Sequence, residues 1–167
     1  MPPAAFAEVH FDMRFAPAPD LLAWARGTFV EATGDLHNPD HAHLADADIG
    51  FVWASMGYVK QGRQVLGLTE DLQQSGRGGA WQRGRAQQQM REWFGAEPRF
   101  VITLDATYCA ACTDAEFCAL VEHELDEVFG ERPVPDQTRR VVETLVEHEV
   151  QVAVLGVAED YRTLVAV

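Results

Sequence analysis

Arg99-Phe100-Val101-Ile102-Thr103-Leu104-Asp105 is the clearest strand in the chain. It is short and rich in aromatic and β-branched residues. A long helix follows it. Thr113, with Glu116 three residues later, forms the signature of a capping box and marks the helix start. Phe117, Leu120, Val121, Leu125, Val128 and Phe129 recur at helical spacing, and Gly130 ends the run. This helix carries Leu120-Val121-Glu122-His123-Glu124-Leu125, the stretch with the most chemical content.

Upstream, Pro19-Asp20 introduces Leu21, Leu22, Trp24, Ala25, Phe29 and Val30, a helical pattern that ends near Gly34. A polar turn, Gly34 to Asp40, leads to a short helical turn over His41-Ala42-His43-Leu44-Ala45. Ile49 through Ala54 and Gln64 through Thr69 read as two strands, separated by a loop around Gly57 and Gly62. The Gly-, Gln- and Ser-rich residues 70–80 read as a loop, and a helix from Trp81 to Phe94 stops at Gly95. Beyond Gly130, Pro133 and Pro135 mark a turn, and a last helix is expected from Asp136 to Leu155. Helix, two strands, helix, strand and two helices make an α+β domain with a small sheet packed on helices.

The 167 residues make a single domain, 1–167, with an apolar share of 47%, enough for a true core. No apolar run reaches the roughly 18 residues that cross a bilayer. The first seven residues lack the basic and long apolar regions of a signal peptide, so a cytoplasmic location is the expectation. A formal charge of −13 repels phosphate backbones and anionic membranes. Neither nucleic acid nor a membrane is an expected partner. Arg77, Arg83, Arg85 and Arg91 form a local basic patch in the middle of the chain. Three cysteines, an odd number, argue against a disulfide framework. Cys109-Ala110-Ala111-Cys112 has C-x-x-C spacing and, with Cys118 and His123, could hold a metal. Ala-Ala between the cysteines favours the other reading, small buried side chains.

On a helix, residues four apart share a face, so His123 and Glu127 can point at one metal ion. Glu124 stands where the H-E-x-x-H motif of metallopeptidases places its general base. There a glutamate takes the proton of a water whose pKa the metal lowers, while the metal polarises the substrate carbonyl. A hydrolytic zinc site takes three protein ligands and keeps one position open. His148, in the echo Leu145-Val146-Glu147-His148-Glu149-Val150, is the natural third. Glu127 replaces the second histidine of the motif. As a ligand it makes the site less positive; the other reading makes it a solvated helix residue. A strand, a connection and a His-Glu helix is also the order of zincin peptidases, where an edge strand holds the substrate backbone beside the metal helix. Phe100 to Asp105, followed by His123, fits that order.

The chain resembles the metallopeptidase family found in phages and prophages. The stretches that carry the resemblance begin with Asn38-Pro39-Asp40-His41-Ala42-His43-Leu44, Ile49-Gly50-Phe51-Val52-Trp53 and Arg91-Glu92-Trp93-Phe94-Gly95. Phe100 to Asp105 and Thr113 to Leu125 complete them, so that the match is strongest over residues 12–125. The resemblance implies a zincin-like fold, a zinc ion and peptidase activity on a peptide or protein substrate. In that family the His-Glu-Leu continues to a second histidine, and a later segment supplies another metal contact. His123 and Glu124 carry over directly, Glu127 as a substituted ligand, and His148 as the best later match. After residue 125 the pattern diverges, so a catalytically inactive relative, acting in binding or assembly, is the alternative.

A third reading pairs the two Val-Glu-His-Glu segments as a di-metal site of the bundle type, for which only two suitable helices are present. His41 and His43, beside Asp46 and Asp48, could approach the site; a local role in their own turn is the favoured reading. Trp24, Trp53, Trp81 and Trp93 are expected in the core or on a pocket wall.

Overall fold

The computed structural model describes residues 2–7, 12–74 and 79–128. Its chain order is α1 (Ala4–Ala7), β1 (Phe15–Pro17), α2 (Pro19–Ala25), a π turn (Arg26–Val30), a 3-10 turn (Pro39–Leu44), β2 (Ile49–Ala54), β3 (Tyr58–Lys60), β4 (Arg63–Val65), β5 (Gly67–Asp71), α3 (Ala80–Phe94), β6 (Phe100–Asp105), α4 (Ala106–Ala111) and α5 (Asp114–Asp126). Helices and a mixed sheet make it α+β.

Four strands form the sheet in the order β1-β2-β6-β5. β2 and β6 run parallel at its centre, with Phe51 opposite Ile102 and Trp53 opposite Leu104. Every residue of β2 is buried, and all but one of β6. Near-continuous apolar runs are what a strand covered on both faces requires. β1 and β5 add antiparallel on either side. Strand alternation sends Phe51, Trp53, Ile102 and Leu104 to one face. There they meet Leu21, Phe29 and Leu44 from the early helices and turns, and Phe117, Val121 and Leu125 from α5. The other face is covered in part by α3, whose Phe94 ring lies against the bare Cα of Gly50.

The sequence places the motif helix after an edge strand, and the topology corrects this. β6 is internal, bonded on both sides, and the edge strand nearest α5 is β5. The reason is chemical: Phe100-Val101-Ile102 needs cover on both faces, whereas Gly67-Leu68-Thr69-Glu70-Asp71 carries acids that an edge tolerates. The expected strand over 64–69 is two strands. β4 closes a hairpin with β3 through Gln61 and Gly62, both at positive φ, the signature of a two-residue type I′ turn. The helix read from Pro19 to Gly34 ends early in the π turn, whose Phe29 and Val30 are both buried. α4 is an addition, started by Asp105, whose Oδ1 accepts from the N–H groups of Thr107 and Tyr108. Trp53 is buried as expected, but Trp81 is 85% exposed. The helix expected from Asp136 to Leu155 lies outside the described residues.

Candidate active site

α5 is positioned from its first turn. Thr113 Oγ1 accepts from the N–H of Glu116, and the Glu116 carboxylate accepts from the N–H of Thr113 at 2.7 Å, a reciprocal cap. Asp114 and Glu116 also place negative charge at the positive end of the helix dipole. Phe117, Val121 and Leu125, four apart, form the buried stripe. Phe117 stacks on Trp53 with centroids 6.4 Å apart and packs on Trp24 at 5.3 Å. That anchorage fixes the rotation of the helix, and therefore where its chemical groups point.

Glu124 lies beside the stripe and is 4% exposed. Its carboxylate faces β5, where Thr69 Oγ1 donates to Oε2 at 2.7 Å. The same hydroxyl lies 2.9 Å from the Glu124 carbonyl oxygen. Gly67 lines the slot: a Cβ there would come 2.7 Å from the carboxyl carbon, closer than any side chain stands. Burial pushes the Glu124 carboxyl up to about 7; the Thr69 hydrogen bond pulls it down, and the charge of Glu127 pushes it further up. The carboxyl therefore exchanges its proton near neutral pH, where a general acid–base group is most effective.

His123 and Glu127 continue round the helix from Glu124 towards solvent. His123 is half-buried, and its side chain makes no hydrogen bond or ion pair among the described residues. Glu127 is exposed and still in helical conformation, with its N–H bonded to the His123 carbonyl at 3.3 Å, so the two side chains share a face. In donor type, imidazole and carboxylate suit zinc. The described residues contain no group of three or more His, Cys, Asp or Glu arranged to hold a metal ion. His148 lies outside the described residues. Among the described residues, α5 therefore offers two donors of suitable type, His123 and Glu127, and no third beside them.

The opposite side of α5 is held by the turn at 38–44. Asn38 Nδ2 donates to Glu122 at 3.1 Å, and His41 Nε2 bonds Asp126 Oδ1 at 2.8 Å. His41 is 1% exposed, and its Nδ1 has no partner among the described residues. The local role favoured for His41 is thus replaced by a long-range one, clamping the end of α5. The cysteines follow the packing reading. Cys109 is buried, Cys112 donates to the Cys109 carbonyl, and all three thiols are free. Burial raises all three, Cys112 to about 11, which keeps them protonated and poor as ligands.

Gly67 and Thr69 are the site residues that sequence reading missed. The available signal was a glycine inside a strand, which often marks a close approach by another group. β5 also presents an open edge among the described residues. Leu66 O accepts from Asp105 N, and Leu72 N donates to Arg99 O, both at 2.8 Å. Antiparallel alternation then points the even-numbered residues of β5 at β6. The backbone N–H and C=O of Gly67 and Thr69 face outward.

No curated protein and no solved structure matches the chain. A family model described as "Putative phage metallopeptidase" matches residues 22–163, a span that takes in β2, β5, β6, α5 and His148. With most of the chain inside that match, the protein belongs to the phage metallopeptidase family.

Proposed function

We propose that this protein is a zinc-dependent peptidase or related amide hydrolase in which Glu124 is the general base. His123, Glu127 and, from the C-terminal segment, His148 are the ligands in this reading. Bound zinc supplies a Lewis acid that lowers the pKa of water and polarises the scissile carbonyl. Glu124 accepts the proton of the attacking water and passes it to the leaving amine, which a carboxyl near pH 7 does in both directions. Thr69 holds that carboxylate in one orientation. The substrate backbone pairs with the outward groups of Gly67 and Thr69, so β5 aligns the peptide beside the base it also positions.

The observation that carries this reading is the buried Glu124, held by an edge strand next to His123 of the same helix, a side chain with no partner among the described residues. Elemental analysis of the purified protein, with His123→Ala alongside, tests it. One zinc per chain, lost in His123→Ala, and peptide hydrolysis lost in Glu124→Gln with zinc retained are expected. A protein with no affinity for added zinc would sink the reading, and leave an inactive relative that acts by binding.

A further inference from the structure

On the sheet face away from α5 lies a cleft that the chemistry above does not use. It has a volume of about 160 Å³ and is bounded by Phe15 of β1, Tyr58 and Val65 of the hairpin and Leu68 of β5. Whole small molecules take pockets of roughly 300 Å³ or more. The space here suits one long side chain. Met13, Phe15 and Tyr58 are each exposed by 40% or more, an apolar wall left in water.

Asp105 forms the base of the cleft and is 4% exposed. Its Oδ1 is used in starting α4. Its Oδ2 lies against Gly57, too close for a Cβ there, and its hydrogen bond from Gln64 Nε2 is long, 3.4 Å. Among the described residues that line the cleft there is no Lys, Arg or His, and Glu70 stands exposed at its rim. A buried carboxylate is stabilised by a hydrogen-bonded cation and leaves an apolar guest with an unmatched charge. Lysine and arginine combine an apolar stem with a cationic head, the two properties that walls and base ask for.

β5 joins this cleft to the site proposed above. A peptide paired with Gly67 and Thr69 directs every second side chain to the face of Leu68 and Glu70, where the cleft opens. We infer that the cleft binds a Lys or Arg side chain of an extended peptide lying along β5, which makes basic peptides the substrate class of that site. The inference rests on the reading of β5 as the substrate strand, and is separable from hydrolysis.

Binding is measured on the full chain carrying Glu124→Gln, to prevent turnover. The ligands are blocked, otherwise neutral seven-residue peptides with a single central Lys, Arg, norleucine or Glu. Lys and Arg are expected to bind at least about tenfold tighter than norleucine, and Glu weakest. Asp105→Asn keeps an oxygen to start α4 but removes the charge, and should abolish the preference; Glu70→Gln, on an exposed side chain, should reduce it. Equal affinity for lysine and norleucine overturns the inference, as does a lysine preference that survives both substitutions. Hydrolysis by the unmodified protein with no basic preference removes this inference and leaves the peptidase. Lysine-selective binding without zinc or hydrolysis supports the cleft and removes the peptidase.

Discussion

Thr69 has one hydroxyl proton and two Glu124 oxygens within reach, Oε2 at 2.7 Å and the carbonyl oxygen at 2.9 Å. With Glu124 ionised, the proton goes to the carboxylate and the carbonyl is left. With Glu124 protonated, the acid donates to Thr69, which donates to the carbonyl, and both oxygens are served. Removing the hydroxyl takes away the bond that favours the charged form, so Thr69→Val should move the acid limb of the kcat/KM profile to higher pH, and Thr69→Ser should restore it. A limb that does not move would assign it to another group. The same carboxyl gives the zinc-free protein a pH-dependent stability. Its native pKa of about 7 lies above the ordinary 4.5, so the native state holds the proton more tightly. That contribution is complete below about pH 4.5 and is lost as pH rises towards 7, a fall on the order of 3 kcal/mol. Denaturant unfolding across this window should show the slope, and Glu124→Gln should flatten it.

At the scale of elements, the site is an agreement between α5 and β5. The cap at Thr113 and the Phe117 contacts set α5; Gly67 and Thr69 set what it may carry. Thr113→Ala should lower the stability by about 1 kcal/mol in denaturant unfolding. Gly67→Ala has a sharper signature: Glu124 must leave its slot, so hydrolysis should fall by at least about tenfold while zinc binding persists. Retained activity would show that the slot does not hold the base. This division also explains what the chain makes legible. β6 and α5 announce themselves because their patterns are local, an apolar run and a cap followed by a stripe. His123 and Glu124 are readable for the same reason. Which strand becomes the edge is decided by pairing across some thirty residues, and no local pattern carries it. Thr69 is invisible as a site residue, and His41 is readable only as a histidine that could approach the site with a local role favoured, because each meets α5 across more than fifty residues of chain.

For the molecule as a whole, a net charge of −13 makes any bound cation a relief of self-repulsion. Zinc at about a hundred times its Kd should add about 2.7 kcal/mol to the folded state, visible as a rise in Tm that a chelator reverses. His148→Ala should remove most of that rise if the C-terminal segment supplies the third ligand, and should leave it intact otherwise.

α3 stands apart from this cooperative body. None of its fifteen residues is buried, and residues 80–88 are all exposed, whereas at the far end the Phe94 ring packs against Gly50 of the sheet. A helix in that position opens without unfolding anything else. Its amide hydrogens should exchange with solvent in a gradient, fastest near Trp81 and slowing towards Phe94, while those of β6 wait for global unfolding. Gly84→Ala should slow exchange over the middle of the helix by about fivefold, the worth of one glycine in a helix interior.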